Sequence, residues 1–136
     1  MEINNAAILI TGAAQRVGRA VAIDLASRGA HVAFSYLDMA EPWQATLDEI
    51  ERQHVRGCAV QADVTDKAQV QRLVQCALSV LGRIDVLINN ASIWLKNPFL
   101  QITEMEWDAA LAVNTKGPFL MSQAVVPHMQ AQGGGL

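Results

Sequence analysis

Between residues 8 and 22 the chain reads ILITGAAQRVGRAVA, an apolar run that passes through a small-residue turn into a helical pattern. Small residues at a strand-to-helix turn let an anion approach the backbone, where N–H groups and the helix N-terminus favour negative charge. Gly12 suits the tight turn, Ala13 and Ala14 leave room for backbone approach, and Gly18 lets the helix lie close to a sheet. This is the order of a dinucleotide diphosphate turn, except that Arg16 stands between the glycines where a third glycine is usual. A guanidinium is planar and always charged, and it pairs well with phosphate. The spacing alone also fits a plain glycine-containing strand–helix connection.

Other polar residues recur where apolar runs end. Asp63 closes a third apolar run, Asn89 and Asn90 close a fourth, and Asn114 precedes a helical pattern. Each has a local use as well: a turn acid, turn-forming asparagines and a helix N-cap. Cys58 and Cys76 have no second Cys or His at metal-ligand spacing, so they read as reduced structural thiols and no metal site is expected. His31, His54 and His128 are scattered and read as ordinary histidines, and Trp43, Trp94 and Trp107 as covers of the core.

The elements that must position these residues alternate strand and helix. Strands are expected at 6–11, 31–36, 57–63 and 83–91. The first helix begins near Arg16 and closes at Gly29, and the second begins near Pro42. Thr65 and Asp66 open a third, with Val70, Leu73, Val74, Ala77 and Leu81 on one face and Gly82 as its stop. The TEME segment at 103–106 has capping-box spacing, and a last helix is expected from about Thr115 to Gln130 with Pro118 in its first turn. Continuous rather than alternating apolar strands imply a parallel sheet covered on both faces. The expected class is therefore α/β: a Rossmann-type doubly wound parallel sheet, truncated after four strands, forming one incomplete dinucleotide-binding domain over residues 1–136. The final QGGGL looks like the entrance to a fifth strand, which would leave the fourth with an unpaired edge.

Composition narrows the partners. The chain has 136 residues, is 51% hydrophobic and carries a net charge of −3, which gives no support for a nucleic-acid surface. No run approaches the roughly 18 apolar residues of a membrane span, and the short AAILI run lacks the basic start of a signal peptide. A cytoplasmic setting and a small-molecule substrate are expected.

Four segments in order carry a resemblance: TGAAQRVG, ADV at 62–64, INNAS at 88–92 and AVNTKGPF at 112–119. Together they resemble the short-chain dehydrogenase/reductase family over essentially the whole chain. Arg16 in place of the middle glycine, with Ser92 after NNA, is similar to the pteridine-reductase branch. The resemblance implies an NAD(P)-dependent oxidoreductase that moves hydride from NADPH to a pterin-like ring or small carbonyl. A 3-ketoacyl-carrier-protein or sugar-alcohol dehydrogenase, and a non-catalytic dinucleotide-binding fragment, stand as alternatives. It assigns cofactor contacts to Thr11, Gly12, Ala14, Gln15, Arg16, Val17 and Gly18 in the turn, and to Tyr36 after the second strand. Further contacts fall to Asp63 and Val64 after the third strand, and to Asn90, Ala91 and Ser92 after the fourth, with Asn89 tying strands together. Asn114 matches the family's catalytic-site asparagine.

The implied cofactor is NADP, without excluding NAD. Asp38 lies at the distance where a ribose-binding acid is sought, but the family's NAD-selecting acid aligns with Tyr36, and an acid at Asp38 opposes a 2′-phosphate. The proton donor that hydride transfer requires is, in this family, the Tyr of Y-x-x-x-K, set beside a Ser. The sole tyrosine here is Tyr36, with no Lys four residues on, so these residues alone are expected to be inactive. The complete protein is expected to be a homo-oligomer, with Phe119, Leu120, Met121, Val125 and Val126 as candidate contacts.

Overall fold

A computed structural model describes residues 2–136. Four strands, β1 (Ala7–Ile10), β2 (His31–Tyr36), β3 (Gly57–Gln61) and β4 (Val86–Ile88), form one parallel sheet in the order β3-β2-β1-β4. Helix α1 (Arg16–Ser27) joins β1 to β2, α2 (Trp43–Glu51) joins β2 to β3, and α3 (Lys67–Leu81) joins β3 to β4. The chain leaves β1 for β2 on one side and returns past it to β4 on the other, so the strand order reverses beside β1. Ligands of open α/β sheets bind at the carboxyl ends of the strands beside such a reversal.

Alternation along β1 divides the core into two layers. Ala7 and Leu9 pack with α3 residues Leu73, Val74, Ala77 and Leu81 and with Met121 and Val125. Ile8 and Ile10 face the other way, onto Ala22 and Ala26 of α1, Phe34 and Ile50. Both faces of the sheet are covered, which accounts for strands that are apolar at every position. All five residues expected on the inner face of α3 are buried, Asp66 caps its N-terminus through Ala68 and Gln69 N–H, and Gly82 ends it at φ +84°.

Several boundaries are tighter than expected. β1 covers 7–10 rather than 6–11, β3 stops at Gln61, and β4 has three residues instead of nine. The β4 ladder ends because the N–H groups of Asn90 and Ala91 turn to the Thr11 hydroxyl rather than to a backbone carbonyl. On the outer side of β4, Leu136 donates to the Asp85 carbonyl and accepts from Leu87 N–H, both at 2.9 Å, as a parallel neighbour would.

The last helix differs most. Thr103 and Glu106 form the expected capping box and open α4 (Glu104–Leu111). No helix starts at Thr115. A π turn over Ala112–Lys116 instead joins α4 directly to α5 (Gly117–Ala131), closed by Gly117 N–H on the Ala112 carbonyl. Pro118 has no N–H to return to that turn, and a widened turn gives its ring room. Of the apolar residues of α5, Leu120, Met121 and Val125 are buried, while Phe119 and Val126 are exposed. Trp43 is half-buried against the α1–α2 layer, but Trp94 and Trp107 are 86% and 53% exposed and do not cover the core. The α3 helix and the strands bury enough aliphatic surface without them.

Candidate functional site

A cleft of about 320 Å³ runs across the carboxyl ends of all four strands. Its floor is the turn after β1. Gly12 adopts φ +64°, and a Cβ there would lie 2.9 Å from the Ala91 Cα. A Cβ on Gly18 would meet the Asn90 side-chain nitrogen at 2.5 Å and the Gly12 carbonyl at 2.7 Å. Both positions therefore need glycine, one for conformation and both for space.

Neighbouring strands hold this turn by named bonds. Ser35 of β2 accepts Gly12 N–H on Oγ and Ala13 N–H on its carbonyl. Buried Thr46 of α2 donates to the Ala14 carbonyl at 2.8 Å. Asn90 Nδ2 donates to the carbonyls of Thr11 and Gly12, each at 2.9 Å, while the Thr11 hydroxyl accepts Asn90 and Ala91 N–H. It is Asn90 rather than Asn89 that ties β4 to β1, because Asn89 is exposed on the alternate side of the chain.

With the turn fixed from behind, the N–H groups of Gln15, Arg16, Val17 and Gly18, which line the cleft, find no acceptor among the described residues. They form an anion-seeking rim at the start of α1. Arg16 sits in it at φ +53°, exposed, in a left-handed conformation uncommon for a non-glycine residue. No ion pair or hydrogen bond of its side chain occurs among the described residues.

Beyond β2, the Tyr36 ring stacks on Trp43 with centroids 5.2 Å apart and planes within 5°. The Tyr36 hydroxyl reaches the Met39 sulfur at 3.5 Å. Asp38 is turned to its own loop, where Oδ1 accepts Ala40 N–H, and it does not line the cleft. The acid of this loop that lines it is Glu41, whose Oε1 accepts Leu37 and Asp38 N–H at 2.9 Å each and whose Oε2 accepts from Gln15 at 3.3 Å. Asp63 lines the cleft after β3 with Oδ1 engaged by both Thr65 groups, so its turn-forming use is present. Val64 packs against Gly117, where a Cβ would stand 2.8 Å from Val64 Cγ2.

At the β4 end the cleft is bounded by Asn90, Ala91, Ser92 and Ile93. The Asn114 side chain, in the π turn, pairs with Ile93 in both directions: Oδ1 accepts Ile93 N–H at 2.9 Å and Nδ2 donates to the Ile93 carbonyl at 3.0 Å. A second, apolar hollow opens beyond this pair, lined by Ile93, Trp94, Leu95, Phe99, Trp107 and Leu111 among others. The structure thus brings every expected turn and strand-end residue to one cleft, save that Thr11 and Ala14 lie beneath it. Ser35, Thr46 and Glu41 escaped sequence reading, since a serine in a strand, a threonine in a helix and a surface glutamate carry no spacing signal.

Cys58 and Cys76 lie away from the cleft and side by side across β3 and α3. Burial, then the neighbouring Cys76, push the Cys58 thiol up to about 12. No cluster of three or more metal-ligating side chains occurs among the described residues, and no helix there is long and apolar enough to cross a membrane.

Comparison with known proteins agrees with this geometry. The chain is 36% identical over 131 residues to the 3-oxoacyl-(acyl-carrier-protein) reductase FabG of Staphylococcus epidermidis, covering 96% of this chain and 54% of the relative. It is 39% identical over 129 residues to the (2S)-[(R)-hydroxy(phenyl)methyl]succinyl-CoA dehydrogenase subunit BbsD of Thauera aromatica, covering 95% of this chain and 52% of the relative. Among solved structures, a short chain dehydrogenase of Burkholderia cenocepacia J2315 in complex with NADP superposes with a TM-score of 0.87 at 34% identity, over 94% of this chain and 52% of that one. An NAD+-bound xylitol dehydrogenase superposes with a TM-score of 0.91 at 26% identity, over 99% of this chain and 52% of that one. The chain spans about half the length of the curated relatives it matches. The short chain dehydrogenase pattern matches residues 6–136, and the chain belongs to that family.

Proposed function

We propose that this chain binds a nicotinamide dinucleotide, NADP ahead of NAD, as the cofactor-binding part of a short-chain oxidoreductase. The observation that carries the reading is the rim of unpartnered N–H groups from Gln15 to Gly18 around an unpaired Arg16, in a cradle kept open by Gly12 and Gly18. That donor set fits a diphosphate. The side of the cleft at Tyr36 and Asp63 suits the adenosine, and the side at Asn90, Ala91 and Ser92 suits the nicotinamide. When bound, the dinucleotide supplies the hydride. The chain's own residues orient it: Ser35, Thr46 and Asn90 fix the turn, and Asn114 fixes Ile93 between the cleft and the apolar hollow.

For the substrate, two readings differ in their support. The FabG names of several relatives at 36–37% identity favour the carbonyl of a 3-oxoacyl thioester. Arg16 together with Ser92 favours a pterin-like ring.

Titration of the chain with NADPH and NADH by calorimetry tests the cofactor reading. Micromolar binding of NADPH is expected, and absence of binding by both nucleotides would remove it. The one tyrosine, Tyr36, is stacked on Trp43 at the adenosine side, so binding without turnover is expected. NADPH oxidation by the chain with a 3-oxoacyl thioester or a quinonoid dihydropterin would show that the proton donor is not a tyrosine.

A further inference from the structure

The segment just beyond β2 is where a dinucleotide fold meets the adenine ribose, whose 2′ position carries a hydroxyl in NAD and a phosphate in NADP. Here two adjacent backbone donors, Leu37 N–H and Asp38 N–H, point at one spot, and the Glu41 carboxylate already occupies it at 2.9 Å from each. Its other oxygen takes a hydrogen bond from Gln15 of the phosphate turn at 3.3 Å. Glu41 therefore bridges the β2–α2 loop and the start of α1 across the cleft. Two convergent N–H groups, an amide and the nearby start of α1 are the donors an anion recruits.

We propose that Glu41 sets the discrimination between NADP and NAD: its carboxylate is a resident anion that a 2′-phosphate must displace. The proposal rests on the dinucleotide reading and concerns a residue that neither glycine spacing nor the usual acid position identifies. Glu41 acts on that phosphate in two ways. Its charge repels the phosphate, and its Oε1 competes with it for Leu37 and Asp38 N–H. A 2′-hydroxyl carries no charge and can accept or donate beside the carboxylate without displacing it. The preference for NADP is accordingly smaller than it would be with an uncharged residue at position 41.

The experiment is calorimetric titration of the wild-type chain and Glu41→Gln with NADPH and with NADH. Glutamine keeps an acceptor for Leu37 and Asp38 N–H and removes the charge. The ratio of NADH to NADPH dissociation constants is expected to rise by about tenfold, mostly through tighter NADPH. An unchanged ratio with both nucleotides bound would overturn the role of Glu41 and leave the dinucleotide reading standing. Binding of neither nucleotide to wild type would overturn both. A second measurement needs no variant: the carbon-13 resonance of the Glu41 carboxylate in the wild-type chain is expected to move with NADPH and stay with NADH. Equal displacement by the two nucleotides would count against the proposal.

Discussion

The side-chain nitrogen of Asn90 occupies space that exists only because residue 18 is glycine: a Cβ on Gly18 would lie 2.5 Å from it. From that space Asn90 reaches the Thr11 and Gly12 carbonyls, so the β4 end and the phosphate turn are one unit. Gly18→Ala is expected to lower unfolding free energy by about 1–3 kcal/mol, by crowding and by stranding two carbonyls. Asn90→Ala is expected to cost a similar amount. Because the two act on the same gap, the double variant should cost less than the sum, as chemical denaturation of the four proteins would register. Strict additivity would mean that Gly18 serves helix packing without regard to Asn90.

Arg16 is strained without return from the fold. It holds φ +53° while its exposed side chain has no partner among the described residues. A left-handed non-glycine residue costs on the order of 1 kcal/mol. Arg16→Gly is therefore expected to raise unfolding free energy by about 1 kcal/mol while weakening NADPH more than NADH. Thermal denaturation and paired nucleotide titrations check the two halves. A less stable variant would show that the arginine side chain is held by contacts in solution.

Legibility in the sequence follows the range of the interaction. The buried face of α3 and its Asp66 and Gly82 ends depend on spacing and local turn chemistry, and they stand where periodicity placed them. The glycine turn was readable for the same reason. The continuity of α4 into α5 was not, because the π turn at Ala112–Lys116 that joins them carries no spacing or capping signal, and its Asn114 finds its partner Ile93 21 residues away. Glu41 was equally silent: its importance comes from Leu37, Asp38 and Gln15 converging on it in space. Trp94 and Trp107 mislead in the opposite direction, since aromatic character predicts burial and their neighbours form a shallow exposed hollow.

The Asn114 pair makes a local claim that hydrogen exchange can test. Its two bonds to Ile93 connect the π turn to the strand-end loop at an exposed site, where each is worth at most about 1 kcal/mol. Asn114→Ala should leave global stability nearly unchanged and accelerate exchange at Ile93 N–H by roughly tenfold. Unaltered protection of Ile93 would show that the loop is held by its apolar neighbours instead.

Cys58 ties the fold to high pH. Its thiol is raised from 9.0 to about 12 by burial first and Cys76 second, so the folded chain holds it neutral where the unfolded chain ionises it. The sign follows from linkage: the folded state binds more protons between these values, so the contribution is whole below pH 9.0 and is lost as pH rises toward about 12. Urea unfolding at a series of pH values from 8 upward is expected to show a steeper loss of stability for wild type than for Cys58→Val. Other groups titrate in this window, and the difference between the two proteins isolates the thiol. The same burial makes Cys58 a poor nucleophile, and near pH 8 iodoacetamide should label Cys58 far more slowly in the folded than in the unfolded chain. Parallel pH profiles for wild type and Cys58→Val, with equal labelling rates in both states, would mean that the thiol is solvated and its neighbour irrelevant.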